Sequence, residues 1–167
     1  ANQMAKMRFR FGGKATLPVT VLTMGGAGGG MAAQHSQSLE AWLAHLPGMK
    51  VVMPSDAYDA KGMIIAASRD DNPVFVVLNK QSLAMSMEVP EESYEVPIGE
   101  AIVRKQGTDL TIVAFGRMVH EALDAAEQLK DVGLNVEVID ARSVQPFDTA
   151  TVVASIKKTH RALIVHE

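Results

Sequence analysis

The residues best suited to chemistry in this chain are Gln34-His35-Ser36-Gln37-Ser38, which follow a glycine run from Gly25 to Gly30. His35 lies at the edge of this loop, just before a predicted amphipathic helix. A histidine changes its charge near neutral pH and can exchange protons with a ligand across a cleft. The position therefore predicts a catalytic role for His35, although a lone histidine before a helix is more commonly a cap or a surface residue.

The glycine run permits a second interpretation. Gly28, Gly30 and Ala33 form a loose G-x-G-x-x-A match between a predicted strand and a helix, which is the context of a dinucleotide fingerprint. However, a polar segment separates the glycines from the helix. No acidic residue ends the next predicted strand, which runs into Met53-Pro54-Ser55. A close-packed or mobile loop is therefore favoured over a nucleotide site.

A third candidate is the turn from Ala67 to Pro73, between a predicted helix and a predicted strand. The last carbonyls of a helix lack partners within the helix, and together with Asp70 and Asn72 oxygens they could bind a hard cation. A helix cap with an Asx turn explains the same residues and is favoured from their types alone. The remaining histidines do not have the HExxH spacing of a zinc site.

The elements that must position these residues alternate between strands and helices. Before residue 80 the pattern predicts strands at 17–23, 51–53 and 74–78, and helices at 38–45 and from an Asp56 N-cap through Ser68. After residue 98 it predicts strands at 101–104, 110–115, 136–139 and 162–165, and helices at 118–130 and 148–157. The fold class is therefore α/β, with parallel sheets flanked by helices and joined by right-handed crossovers. The expected organisation is a first domain at 1–79, a linker at 80–98 rich in Glu and Pro, and a second domain at 99–167.

Composition excludes several classes of protein. The net charge of -3 indicates no polybasic surface for nucleic acid, and no apolar run approaches the roughly 20 residues that cross a bilayer. Cysteine is absent, so disulfides and thiolate metal sites are excluded. No signal peptide is recognisable, and Ala1 begins in what looks like the middle of a helix, which suggests a fragment or a processed chain.

Several sequence blocks, in this order, resemble one family, the beta subunits of the thiamine-diphosphate-dependent 2-oxo acid and acetoin dehydrogenases. The blocks are Asn2–Lys6, Gln34–Gln37, Asp59–Gly62, Arg69–Pro73, Val96–Gly99, Gly116–Ala122, Glu137–Arg142 and Lys158-Thr159. The resemblance implies part of a transketolase-like pyrimidine-binding domain followed by part of a transketolase C-terminal domain. The spelling around Gly28 is closer to acetoin and pyruvate enzymes than to branched-chain ones.

The resemblance also implies an assembly and a chemistry. The partners would be an alpha subunit, a second beta subunit and a lipoyl-bearing core acyltransferase, with thiamine diphosphate and Mg²⁺ bound where alpha and beta meet. His35 would serve proton transfer and the approach of the lipoyl arm. A structural K⁺ would be held mostly by backbone carbonyls at Val19, Ala67, Ser68, Asp70 and Asn72. The expected compartment is the bacterial cytoplasm or, second, the mitochondrial matrix.

The chain also departs from that family pattern. The glutamate that protonates the cofactor's pyrimidine and the aromatic residue that stacks on it would lie upstream of Asn2, and the diphosphate motif belongs to the alpha subunit. We therefore expect the chain by itself to be inactive. The alternatives are a truncated oligomerisation or interaction module without chemistry, and another transketolase-like enzyme such as a sugar-phosphate synthase. The sequence has no basic cluster placed to bind a sugar phosphate, which argues against the synthase.

Overall fold

The computed structural model describes residues 1–167 and contains two four-stranded sheets, each flanked by helices. The helices are α1 (Asn2–Arg10), α2 (Ala32–His35), α3 (Glu40–Ala44), α4 (Ala57–Ser68), α5 (Met118–Lys130) and α6 (Thr149–Thr159), with a 3-10 turn at Gln81–Ala84. The strands are β1 (Thr20–Gly25), β2 (Lys50–Val52), β3 (Val74–Asn79), β4 (Ile102–Lys105), β5 (Leu110–Ala114), β6 (Val136–Asp140), β7 (Ser143–Gln145) and β8 (Ala162–Val165). None of these helices has the length and apolar character needed to cross a membrane.

The first sheet has the strand order β1-β3-β2-β7, and β1 and β2 run parallel to β3. Half of its strand residues are β-branched, which suits a sheet packed between helices. On one face Val76 packs with Met63 of α4. On the other, Val77 packs with Leu43 of α3 and Ala5 of α1. The sheet is therefore a layer between helices, as predicted.

The second sheet has the order β4-β6-β5-β8, with β5 parallel to both β6 and β8. Helix α5 covers one face through Val119, Ala122 and Ala126, which are buried against Val138. The bounds predicted for α5 are confirmed. The predicted N-cap of α4 is confirmed as well, since the Asp56 carboxylate accepts a 2.7 Å hydrogen bond from the Asp59 N–H.

Parallel pairing predominates, but each sheet has one antiparallel edge strand. In the second sheet, β4 runs antiparallel to β6. The edge strand of the first sheet is β7, which belongs to the C-terminal half of the chain. It pairs antiparallel with β2 and places Ser143 opposite Val52. A strand of three residues carries too little periodicity to be recognised from sequence. The two halves of the chain are thus joined by backbone pairing.

The helix predicted at 38–45 is wrong in its bounds. Within this range the structure has only the short helix α3 (Glu40–Ala44), and a separate turn, α2, precedes it, beginning two residues after the glycine run and ending at His35. The Met31 N–H donates a 2.8 Å hydrogen bond to the Ser36 hydroxyl, which closes α2 as a separate turn. Of the apolar residues predicted to form one face, Leu43 is buried but Trp42 is 61% exposed.

The segment predicted as a linker lies along α4. The Tyr94 ring stacks on Tyr58 at 4.4 Å between ring centroids, and Val96 is buried in the core of the first sheet. Gly62 permits this contact, because a Cβ at that position would be 2.5 Å from Val96 Cγ2. The segment therefore adds buried surface to the first sheet.

Candidate functional site

The candidate site lies at the carboxyl ends of β1 and β3, where Gly25 pairs in register with Asn79. This end of a parallel sheet is where ligands bind in open α/β folds. The glycine loop turns away from the sheet at Gly26, whose φ is +101°. A Cβ at Gly26 would be 2.6 Å from Asn79 Nδ2, so both the conformation and the contact require glycine here.

His35 is exposed at the last position of α2, at the mouth of this site. Its backbone carbonyl accepts a hydrogen bond from the Lys80 ammonium, and Lys80 directly follows β3. Its neighbours Gln34 and Gln37 line the adjacent cleft. The predicted catalytic residue is thus held by its backbone, while its imidazole remains free to reach a ligand.

A cleft of about 340 Å³ opens between β1, β3 and α3, and we refer to it as the β1–α3 cleft. Its lining combines apolar side chains with two amides, one hydroxyl, one ammonium and one carboxylate. The lining residues are Val21, Thr23, Met24, Gly25, Gln34, Gln37, Leu39, Glu40, Trp42, Leu43, Phe75, Val77 and Lys80. The cleft is large enough for a small organic group with an apolar body.

The carboxylate in this lining is Glu40, which sequence reasoning missed. Glu40 opens α3 and is only 2% exposed. One of its oxygens, Oε1, lies 3.2 Å from Nε2 of His166, the residue after β8, and the other, Oε2, has no hydrogen-bond partner. A signal was available, since Glu40 is three residues before the buried Leu43 and therefore shares its helix face.

The last residue, Glu167, also reaches the glycine loop. Its carboxylate accepts hydrogen bonds from the Gly28 N–H and, at 2.6 Å, from Asn79 Nδ2. The loop N–H that a dinucleotide phosphate would need is therefore paired with an acidic side chain. This contact argues against the nucleotide interpretation of Gly28, Gly30 and Ala33.

The candidate cation residues lie at the opposite end of the first sheet. Val19 precedes β1, and its carbonyl accepts the Val74 N–H at 3.0 Å, while the Ala67 carbonyl accepts the Asp70 N–H at 3.2 Å. Asp70 forms an ion pair with Lys50 and accepts the Asn72 N–H at 2.9 Å. These contacts hold the pKa of Asp70 below its usual value, against the opposing effect of burial. The Ser68 hydroxyl bonds to the Ile65 carbonyl.

An ion cluster, also missed from sequence, joins the two halves of the chain. We call Asp56, Asp59, Arg104, Asp140 and Arg142 the interdomain ion cluster. Arg142 donates to both oxygens of the fully buried Asp59, at 3.0 and 2.7 Å. Arg104 forms ion pairs with Asp56, Asp59 and Asp140. Burial would lower the pKa of Arg104, but these carboxylates outweigh it and raise the pKa.

Two family models match the chain. Residues 1–85 match the pyrimidine-binding domain of transketolase, and residues 99–167 match its C-terminal domain. Among solved structures, the chain is similar to a protein described as split gene transketolase, inactive beta4 tetramer. The TM-score is 0.75 with 30% identity, over 91% of this chain and 49% of that one.

Curated relatives match along the whole chain. It is 48% identical to the beta subunit of acetoin:2,6-dichlorophenolindophenol oxidoreductase from Bacillus subtilis (strain 168), over 99% of this chain and 48% of that protein. It is 47% identical to the pyruvate dehydrogenase E1 beta subunit of the same organism, over 100% of this chain and 52% of that protein. The acetoin subunit of Cupriavidus necator is 46% identical, over 99% of this chain and 49% of its own length.

The chain spans about half the length of these relatives. The family they represent depends on thiamine diphosphate. The order of the two matched domains, the parallel sheets and the identity with beta subunits agree with the resemblance noted from the sequence. The chain belongs to the transketolase-like family, whose pyrimidine-binding and C-terminal domains it matches in order, and it is similar over its whole length to beta subunits of pyruvate and acetoin dehydrogenases.

Proposed function

We propose that this chain forms part of the beta subunit of a dehydrogenase that acts on acetoin or pyruvate and passes the acyl unit to a lipoyl group. The observation that carries the proposal is its identity of 46–48% with both kinds of beta subunit over essentially all 167 residues. Because identity to the two kinds is nearly equal, the substrate stays open between acetoin and pyruvate.

The cofactor of this proposal is thiamine diphosphate with Mg²⁺, which would supply the nucleophilic carbon for cleavage of the substrate when bound. The residues of this chain fit a position next to the cofactor rather than direct contact with its pyrimidine ring. The site is at the carboxyl ends of parallel strands, but no carboxylate or aromatic residue here matches the pyrimidine contacts that the family resemblance implies. The part of this chain is then to present His35, which exchanges a proton with the reacting group and receives the lipoyl arm.

The proposed partners are an alpha subunit, a second beta subunit and the lipoyl-bearing core acyltransferase. Exposed apolar side chains at two sheet edges support extensive partner contact. On β1, Leu22 and Met24 are each 57% exposed, and on β8, Ile164 is 68% exposed. The bacterial sources of the relatives favour the cytoplasm as the compartment of this assembly.

A structural K⁺ at the turn after α4 belongs to the same proposal. The Val19 and Ala67 carbonyls each accept one hydrogen bond, so each keeps a second lone pair for a cation. The Asp70 carboxylate, in contrast, is already paired with Lys50. We therefore expect a site built of carbonyls, in which K⁺ raises the melting temperature more than Na⁺ does. Equal melting temperatures in the two salts would reduce this turn to a helix cap.

The function is tested by placing His35→Ala in the gene and purifying the assembled enzyme from its native source. Reduction of 2,6-dichlorophenolindophenol is measured with acetoin and with pyruvate. We expect the variant to lose about 100-fold or more in kcat, since general acid–base groups contribute at least that much. His45→Ala, an exposed histidine at the end of α3, is the matched control and should leave the rate unchanged. Full activity of the His35→Ala enzyme would contradict a catalytic role for His35. A wild-type assembly that is inactive on both acetoin and pyruvate would contradict the dehydrogenase proposal.

A second candidate function is a tetramer without catalysis. One observation favours it: the solved structure that this chain resembles, at a TM-score of 0.75, is described as an inactive beta4 tetramer. A stable oligomer of this chain with no affinity for thiamine diphosphate, seen by light scattering and calorimetry, would support this candidate over the first.

A further inference from the structure

The loop that carries His35 closes at its base, where the Gly26 N–H donates a 3.2 Å hydrogen bond to the Gln37 carbonyl. We call the residues from Gly26 to Gln37 the His35 loop. Four of its first five residues are glycine. Glycine loses more conformational freedom on ordering than any other residue, so a loop of this composition needs contacts with the rest of the protein to stay in one place.

Glu167, which follows β8 in the C-terminal half of the chain, makes one of these contacts. Its carboxylate accepts hydrogen bonds from the Gly28 N–H and, at 2.6 Å, from Asn79 Nδ2. The Asn79 side chain is buried, and its Oδ1 accepts the Gln81 N–H at 2.9 Å. The glycine run is therefore linked to the end of β3 through a carboxylate from the other half of the chain.

Lys80 makes the second contact, at the other end of the loop. Its backbone N–H donates to the Gly25 carbonyl at 3.2 Å, and its ammonium donates to the His35 carbonyl. His35 is the last residue of α2, where carbonyls lack partners within the helix. The ammonium supplies that partner, and a hydrogen bond from a charged donor is stronger than one between neutral groups.

We propose that Lys80 and the Asn79–Glu167 pair are positioning residues for His35. They hold its loop at the carboxyl ends of β1 and β3 and take no part in proton transfer themselves. The inference rests on the proposed function, since it takes His35 as the group that exchanges a proton. Such a group must lie within hydrogen-bond reach of the reacting atom, and a misplacement of about 1 Å can cost about 100-fold in rate. The placement of His35 thus depends on both halves of the chain.

Exchanging the two side chains of the Asn79–Glu167 pair tests the first contact in the assembled enzyme. Asn79→Asp alone sets a second carboxylate against Glu167, and kcat should fall about tenfold as the loop is released. Adding Glu167→Gln reverses the pair, because the glutamine amide donates to the aspartate and its oxygen still accepts the Gly28 N–H. The double variant should return to within about twofold of the wild type. A double variant as slow as Asn79→Asp would contradict the proposal.

Lys80→Met tests the second contact. We expect kcat to fall about tenfold with KM nearly unchanged, and Lys80→Arg to restore most of the rate, because a guanidinium also donates to the carbonyl. Lys157→Met, an exposed lysine on α6, is the matched control and should behave like the wild type. A raised KM with an unchanged kcat would mean that Lys80 binds substrate instead, and would overturn its positioning role.

Removal of His35 separates positioning from a general loss of structure. In a His35→Ala background, Asn79→Asp and Lys80→Met should lower the residual rate no further, since residues that act through one group are not additive. Equal losses with and without the imidazole would show that the two contacts act on something other than His35, and would overturn the proposal.

Amide hydrogen exchange, followed by mass spectrometry without substrate, separates this inference from the proposed function. Peptides covering 26–37 should exchange about tenfold faster in Asn79→Asp and in Lys80→Met than in the wild type, because each variant removes a contact of the loop. Glu92→Gln, an exposed glutamate of the segment before β4, is the control and should exchange as the wild type does. Unchanged exchange in both test variants would overturn the inference even in an active dehydrogenase. Faster exchange in an assembly inactive on both substrates would support the contacts and contradict only the proposed function.

Discussion

Glu40 and Glu137 are both buried glutamates, 2% and 1% exposed, yet their surroundings differ. Glu137, on β6 in the second sheet, accepts hydrogen bonds from Ser155 and Lys158 and, at 3.2 Å, from the Gly107 N–H. Glu40, beside the first sheet, has one partner for one oxygen and none for the other. Both oxygens of Glu137 are thus paired within the fold, whereas Oε2 of Glu40 has no partner.

In the interdomain ion cluster, as at Glu137, the buried carboxylate has partners for both of its oxygens. Arg142 has a φ of +57°, in the left-handed region that costs an ordinary residue about 1 kcal/mol or more. Its two hydrogen bonds to Asp59 accompany that conformation and leave neither carboxylate oxygen free. Buried charges that hold this fold together are therefore fully paired. The incompletely paired charge, Glu40, is among the residues that line the β1–α3 cleft.

The largest predicted effect is on the ion cluster. Arg142→Ala should lower the free energy of unfolding by about 3–5 kcal/mol, because it removes a bidentate partner from the buried Asp59 carboxylate. The change is measured by urea denaturation. Arg117→Ala is the control: it removes an exposed ion pair with Glu121, and the cost should stay within about 1 kcal/mol. Similar losses in the two variants would mean that the cluster contributes no more than a surface pair.

A smaller effect is predicted for Glu137→Gln. It should lower the free energy of unfolding by about 1–3 kcal/mol at pH 7, because the amide loses the charge-assisted bonds from Lys158 and Ser155. Burial alone would raise the pKa of Glu137, but these donors and the Gly107 N–H lower it. A lowered folded-state pKa stabilises the protein above the unfolded value of about 4.3. The stability difference between wild type and variant should therefore shrink as the pH falls below about 4. A difference independent of pH would contradict an ionised Glu137.

The smallest effect, and of opposite sign, is predicted for Glu40→Gln. Replacing an unsatisfied charged oxygen by a neutral amide should leave the free energy of unfolding unchanged or raise it by up to about 1 kcal/mol. Urea denaturation of this variant beside Glu137→Gln compares the same substitution at two buried sites. A loss as large as that of Glu137→Gln would mean that Glu40 is a structural residue like Glu137.

The sequence was sufficient for elements with strong local signals. Helix α5 was predicted with its bounds, because its apolar residues recur at helical spacing over more than three turns. Asp56 and Asp148 were predicted to begin helices, and both carboxylates accept the expected N–H bonds, from Asp59 at 2.7 Å and from Thr151 at 3.0 Å. The position of His35 next to a glycine loop was likewise visible from spacing alone.

Local patterns were insufficient where partners are distant in sequence. The separate turn α2 before α3 is closed by a bond between Met31 and Ser36, and β7 is too short to have a period. No spacing in the sequence relates Asp59 to Arg142, which are 83 residues apart. The same holds for Glu40 and His166, because only the packing of β8 against β5 brings the end of the chain to the first sheet.

The sequence by itself thus determined the fold class, the family resemblance and the place of His35 beside the glycine loop, since each depends on residue types in local order. The tertiary structure decided which buried charges are paired, because hydrogen bonds and ion pairs depend on distances of about 3 Å between residues that the chain order does not relate. That distinction separates Glu137, both of whose oxygens are paired, from Glu40, whose Oε2 is not.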